Sequence, residues 1–473
     1  MTRPTLLASA RRIAPLAWPM YVGQVAVLAF STVDTVMVAR RSATDLAALA
    51  VGGAAYISVF IGLMGMIAAL SPIAGQLYGA GKLRECGRAL HQAMWLALAA
   101  SGAGCLLLVF PQPFLSFAQT TPEVEVQVRG YLLGLAFALP ASLLFTAYRS
   151  FNIAVSRPKA VMALQVGALV LKVPVTALLV FGLELPTPFG VWRLPAFGAT
   201  GCGIATALVM IGQMAVAWRV LRRDPFYARF GLREPIAGPD PAQLATLLRL
   251  GVPMGLSILV EVTGFTFMAL FISRIGATPV AGHQIAVNMV SLMYMLPLAI
   301  ANATSTLVAQ RIGAAEPVEA RRFGRHGMLI GMIGGATVGG AVFLLREPIV
   351  EVYTHDPVIV AAAVPLLAWV ALFHIADATQ AVAGFVLRAY RIVNLPLAVN
   401  AIAIWGVGLG GGYLFAFNVG GEVPTGLRGA QGFWSAATLG LVVAALALVG
   451  LLAHTWHRER RAGRLAAATG RAT

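Results

Sequence analysis

The chain is 473 residues long, 59% hydrophobic and 11% charged, with a mean hydropathy of +0.82. That balance excludes an ordinary soluble domain, and apolar runs of about 20 residues, each long enough to cross roughly 30 Å of hydrocarbon as a helix, recur from end to end. A formal net charge of +16 would suit nucleic acid if it formed a patch, but the basic residues sit at the ends of the apolar runs, where they orient a membrane protein and attract anionic lipid.

Backbone polar groups in lipid must be satisfied within each segment, and no ten-residue alternation suggests a barrel, so the spans are read as helices. The first is expected at 14–38. Arg3, Arg11 and Arg12 before it resemble the start of a signal peptide, but the run is about 25 residues long and lacks a small-residue cleavage site, so it is read as a retained span. Helices 2 to 4 are expected at 50–77, 92–112 and 127–148. Helix 5, at 160–184, contains LKVPVT with Lys172, the lone basic residue inside a span, beside Pro174, which should bend it. Helix 6 is placed at 197–218 and opens on GATG.

The longest inner connection, 219–245, contains REPIAGPDP and reads as a linker without a fold of its own. Helices 7 to 12 follow at 246–273, 283–310, 327–345, 358–387, 395–418 and 430–454, leaving a basic tail at 456–473. With twelve spans and an inner N-terminus, 26 of the 34 Lys and Arg fall on the inner side. The outer side holds only Arg40, Arg41, Arg129, Arg193, Arg274, Arg346 and Arg428, so both termini are expected in the cytoplasm.

Sliding the sequence against itself by 234 positions superposes Leu16, Pro19 and Met20 on Leu250, Pro253 and Met254, and Gln76, Gly79 and Ala80 on Gln310, Gly313 and Ala314. GATG at 198–201 is answered by GAQG at 429–432. The expected architecture is therefore an all-α membrane protein of two parallel six-helix repeats, 1–218 and 246–455, joined by the 219–245 linker.

Fifteen of the 18 acidic residues fall in loops or at span ends; Asp34, Glu261 and Asp377 do not. A carboxylate near a helix centre costs about 2.5–3.5 kcal/mol on insertion scales, which makes three of them candidates for function. Asp34 lies near the outer end of helix 1, with Phe30 and Ser31 at helical spacing. Glu261 is near mid-membrane. Asp377 has Phe373 one turn before it and Gln380 three residues after, and an aromatic ring beside a carboxylate suits a cation. Burial also favours the neutral form of a carboxylate, which lets it carry a proton. The residues leave sodium and proton equally open.

Lys172 is read either as the structural ion-pair partner of an acid such as Asp34 or as part of transport. Gln284, Asn288 and Asn302 are read as helix-to-helix contacts or ligands, and Met295, in MVSLMYM, as packing or the wall of an adaptable cavity. Cys86, Cys105 and Cys202 are scattered, without CxxC spacing, and read as packing residues. No P-loop, HExxH or GxSxG occurs, so neither ATP hydrolysis nor other conventional enzyme chemistry is expected and no cofactor is required.

PLAWPMYVGQVAVLAFSTVDTVMVAR, GLSILVEVTGF, VAGHQIA, FHIADATQAVAGFVLRAYR and GATGCGIAT with its answering GAQGFW, taken in order over residues 10–455, resemble the multidrug and toxic compound extrusion (MATE) transporters, in particular their NorM-like branch. The resemblance implies a V-shaped pair of lobes around a central cleft. It also implies a monomeric secondary transporter in the bacterial inner membrane, contacting lipid and exporting hydrophobic, mostly cationic drugs in exchange for sodium or protons. Glu261 and Asp377, with Phe373, match the C-terminal-lobe coupling-cation site, where the two acids would hold sodium. Asp34, with Thr176 and Thr206, matches the N-terminal-lobe proton and drug site, and Gln284, Asn288 and Met295 are candidate substrate contacts. This chain has Phe373 where NorM-like proteins usually carry tyrosine, and Thr176 where they commonly carry asparagine, so it lacks one hydroxyl and one amide.

Two other readings compete. A lipid-linked oligosaccharide flippase would line its cleft with arginines or lysines to hold pyrophosphate, whereas this chain has one intramembrane lysine and three acids. A passive channel or scaffold gives no reason for the acids.

Overall fold

The computed structural model describes residues 5–118, 121–187 and 190–468. Twelve helices in them are long and apolar enough to span a membrane: α1 Leu6–Ala39, α2 Ala43–Gly79, α3 Leu83–Val109, α4 Pro122–Ala154, α5 Pro158–Phe181, α6 Ala199–Arg223, α7 Pro241–Ser273, α8 Ala277–Gly313, α9 Pro317–Leu344, α10 Pro357–Ala389, α11 Asn394–Ala416 and α12, whose span Ala430–Arg461 continues as helix to Ala468. The number agrees with the sequence reading. The ends run further, because a helix continues hydrogen bonding past its apolar stretch. Arg11 and Arg12 thus lie exposed within α1, and Arg84 and Arg88 in the opening turns of α3.

Two spans are broken internally. In α2 the helix ends at Ala68 and resumes at Leu70; Pro72, which has no N–H to offer the carbonyl four residues back, accounts for the break. In α11 an α-helical start at Asn394–Asn400 passes into π winding over Ala401–Gly410 and returns to α at Gly411–Ala416.

The chain also departs from the expected helix 5. It ends at Phe181 rather than 184, Gly182 turns at φ +75°, and an antiparallel hairpin follows: β1 Leu183–Thr187 paired with β2 Gly190–Leu194, Leu183 opposite Leu194. Proline at 186 cannot donate within a helix, which explains why helical periodicity stops there.

The residues form two compact units, one of Val22–Leu256 and one of Ser257 onward together with the residues up to Tyr21, so α1 and α7 each contribute to both. In the first unit α4 and α6 meet backbone to backbone: a Cβ on Gly134 would lie 2.6 Å from the Gly203 carbonyl carbon. At the start of α6, Gly198 adopts φ +58° and leaves room for Asp45, which is buried and accepts from the Ala199 N–H at 3.1 Å while pairing with Arg41 at 3.5 Å. Asp45, which reads from sequence as a loop acid, thus ties the start of α2 to the start of α6.

The 219–245 segment has structure of its own. Asp224 caps the short helix Pro225–Ala228 by accepting from Phe226 N at 2.8 Å and pairs with Arg157 at 2.9 Å. The Tyr227 hydroxyl donates to Asn152 at 2.6 Å. Gln92 donates to the Gly238 carbonyl at 2.8 Å and accepts from Asp240 N at 2.7 Å, and Trp95 donates to the Ala237 carbonyl at 2.9 Å. These contacts hold the segment along α3 and α4 of its own unit. In the second unit, Phe373, Trp434, Met268, Ile272 and Val370 belong to one buried apolar core, and Ser9 of α1 bonds His326 of α9 at 2.6 Å.

Candidate cation sites

In the first unit, α1 supplies Asp34, α5 supplies Lys172 and Thr176 one turn apart, and α6 supplies Cys202 and Thr206 one turn apart. The Lys172 ammonium, fully buried, lies 2.8 Å from one Asp34 carboxylate oxygen and 2.9 Å from the other. It also donates to the Thr206 hydroxyl at 2.6 Å, and that hydroxyl donates onward to the Cys202 carbonyl at 2.8 Å. The Phe30 ring is also near it, with its centroid 5.6 Å away. Thr176, also fully buried, borders the carboxylate with the Cys202 thiol. Asp34, Thr176 and Thr206 therefore lie around one internal counter-ion, Lys172, which neutralises the acid.

The second unit is built differently. Glu261 on α7 is partly accessible, and Asp377 on α10 is 2% exposed. Their charges repel each other, and among the described residues neither acid has an ion-pair partner within 4 Å. The Arg388 guanidinium, at the end of α10, attracts Glu261 only through space, and the Tyr294 hydroxyl of α8 lies in the field of both acids.

Two sets of contacts flank the pair one helix turn away. On one side Phe265, four residues past Glu261, meets Phe373, four residues before Asp377, edge to face at 5.9 Å, and Trp434 packs on Phe373 at 5.6 Å. Phe373 is thus one wall of an aromatic cluster. On the other side Gln380 donates to Asn400 at 3.3 Å and Asn400 donates to Ser257 at 3.1 Å, a chain of polar groups linking α10, α11 and α7. Two carboxylates offer hard oxygen donors suited to sodium, and equally a place to hold a proton. Among the described residues no cluster of three or more His, Cys, Asp or Glu could hold a metal ion.

Gln284 and Asn288 are exposed on one face of α8, with Met295 half-buried further along it; none of the three touches the acid pair by hydrogen bond. The sequence reading missed Tyr294, Arg388, Asn400 and Ser257. Arg388, which the sequence places just past the apolar run of helix 10, lies one residue inside the end of α10. A lone amide in the apolar run AVNAIAIWG was the available signal for Asn400.

Comparison with known proteins decides the family. The MatE family model matches residues 19–178 and again 253–414, two stretches that begin 234 positions apart, the offset of the internal repeat. The chain belongs to the MatE family. This MatE protein is 38% identical over 447 residues to a probable multidrug resistance protein NorM of Aromatoleum aromaticum, covering 94% of each chain. It is 33% identical over 450 residues to a NorM protein of Neisseria meningitidis serogroup B, covering 95% of each chain. It also shares 32% identity over 452 residues with the multidrug resistance protein PmpM of Pseudomonas aeruginosa, covering 95% of this chain and 92% of the other. Its fold is that of the eukaryotic MATE transporter AtDTX14, with a TM-score of 0.83 at 20% identity over 97% of this chain and 99% of the other. The Vibrio cholerae MATE transporter VcmN in its bent form gives the same score at 17% identity, covering 96% and 98%. As a MatE protein it is a multi-pass secondary transporter and not an enzyme.

Proposed function

We propose that this transporter is an antiporter that exports hydrophobic, mostly cationic drugs and other toxic compounds across the bacterial cytoplasmic membrane, driven by a sodium or proton gradient. The names of its NorM and PmpM relatives, multidrug resistance proteins, support the cargo class. The observation that carries the coupling is the pair Glu261 and Asp377: two acids within spans, one half-buried and one buried, that among the described residues have no partner cation within ion-pair distance.

Such a pair is most stable when a sodium ion or a proton joins it. Binding that cation then favours one arrangement of the transporter, and binding drug favours the other, which is all that exchange requires. Asp34, Thr176 and Thr206 form a second site in which Lys172 already supplies the positive charge; a proton on Asp34 would loosen that pair and free its oxygens for a cationic substrate. Gln284, Asn288 and Met295 are candidate substrate contacts. Both termini are assigned to the cytoplasm from the distribution of Lys and Arg, and the unit of transport is a monomer among membrane lipids.

The test is efflux of a cationic dye from proteoliposomes with sodium and pH gradients imposed independently. One of the two gradients should drive efflux by the wild type, and neither should drive it in Glu261→Gln or Asp377→Asn. Gradient-driven efflux retained in both variants would overturn the assignment.

A further inference from the structure

The π-wound stretch of α11 is the least expected local feature of the second unit, and it lies against the turn of α7 that carries Glu261. Three contacts connect them. The Asn400 amide donates to the Ser257 hydroxyl, four residues before Glu261 and on the same face. The Trp405 indole N–H donates at 3.0 Å to the carbonyl of Val260, the residue immediately before Glu261. Ile404 fills the space over Gly264, where a Cβ would come within 2.7 Å of its Cγ2. Together they follow α7 from 257 to 264, with Glu261 between them. Asn400 also accepts from Gln380, three residues past Asp377, so one side chain bridges the two helices that carry the acids.

The winding is what makes this possible. At 3.6 residues per turn, position 405 would lie about 140° round the helix from position 400, and one of the two donors would face away from α7. A π turn closes i→i+5 and takes about one residue more, which brings residue 405 to within about 50° of residue 400 and sets both donors against α7. An α-wound α11 could keep the Asn400 bonds or the Trp405 bond, but not all of them.

We infer that Asn400 and Trp405 are positioning residues for the coupling-cation site, and that the π segment 401–410 couples α11 to the separation of Glu261 and Asp377. This rests on the reading of the two acids as that site. Neither residue meets the cation; they hold the helix turns on either side of it. When a cation draws the carboxylates together, α7 and α10 shift relative to Asn400, and the Trp405 bond to the Val260 carbonyl conveys the shift along α11.

The test uses full-length protein in proteoliposomes and reads two quantities separately: the concentration of coupling cation, sodium or proton, that gives half-maximal dye efflux, and the KM for the dye at saturating cation. Asn400→Ala and Trp405→Phe should each raise the cation requirement about fivefold, the order of loss expected when a hydrogen bond is removed, and leave the dye KM unchanged. Ser257→Ala, which removes only one of the two Asn400 bonds, should raise it by no more than Asn400→Ala does, and the double variant should be no worse than Asn400→Ala alone. Trp405→Phe removes the N–H but leaves an aromatic ring against Phe267, so it remains informative should Asn400→Ala fail to fold. An unchanged cation requirement in Trp405→Phe, or a rise in dye KM instead, overturns the inference, provided that Glu261→Gln abolishes coupling in the same assay. Coupling that survives Glu261→Gln overturns the assignment of the acids themselves, and this inference with it.

Discussion

The two halves of the molecule descend from one repeated sequence, yet they treat buried charge in opposite ways. In the N-terminal half Asp34 is matched by a fully buried lysine at 2.8 Å and by hydroxyls around it. In the C-terminal half Glu261 and Asp377 oppose each other, with only Arg388 attracting Glu261 through space. The repeat offset makes the divergence specific: position 34 maps onto Met268, inside the apolar core of the second unit, while Glu261 and Asp377 map back onto Val27 and Leu143. One half carries its own cation in the chain, and in the other, among the described residues, the two acids have no ion-pair partner within 4 Å; under the proposed function that is where the coupling cation binds.

Substitutions break this contrast most sharply at the acids. Glu261→Gln and Asp377→Asn should reduce gradient-driven efflux to the background of empty vesicles while leaving the melting temperature equal or higher, because they relieve repulsion between like charges. Lys172→Met should do the reverse, destabilising the fold by about 3–5 kcal/mol by stranding a buried carboxylate, and Lys172→Met combined with Asp34→Leu should recover most of that loss in thermal melts. A Lys172→Met variant as stable as wild type would show that the N-terminal pair is not structural.

The paired motifs GATG and GAQG give a smaller comparison. Gly198 and Gly429 both have positive φ, +58° and +64°. A Cβ at 198 would run into Arg41 and Asp45, whereas nothing lies within 4 Å of one at 429. Gly429→Ala should therefore cost about 1 kcal/mol, the strain of the backbone conformation alone, and Gly198→Ala distinctly more, read from melting temperatures.

The smallest effect is expected at Asp224. Its bond from the Phe226 N–H, and then Arg157 beside it, hold its carboxyl below the usual carboxylate range. A depressed folded-state value means that its stabilisation is present above the ordinary carboxylate range, near pH 4, and is lost as pH falls through the folded value. Asp224→Ala should cost about 1 kcal/mol or less at pH 7 and progressively less as the pH falls through the folded value, as followed by hydrogen exchange in the 225–240 segment.

The fold was legible because lipid imposes a long, coarse pattern: twelve apolar runs and a repeat can be read without knowing any tertiary contact. Asp34 and Lys172 were legible for a related reason, since one lysine among apolar spans needs an acid and few were available. Features set by long-range contact were not. Asp45 looked like a loop acid because nothing local announces Ala199 N or Gly198 as its neighbours. The 219–245 segment looked like a bare linker because the Gln92 and Trp95 that hold it lie more than a hundred residues earlier. The π winding of AIAIWGVGLG left no periodic trace, since that run is apolar on every face.

The most direct measurement is equilibrium binding of the coupling cation, labelled sodium or protons counted by release, to purified protein in three forms: wild type, Glu261→Gln with Asp377→Asn, and Asp34→Leu with Lys172→Met. Binding should be lost in the acid-pair variant and retained in the form lacking the N-terminal pair. Binding that survives removal of Glu261 and Asp377, or disappears with Asp34 and Lys172, would contradict the division between the two halves.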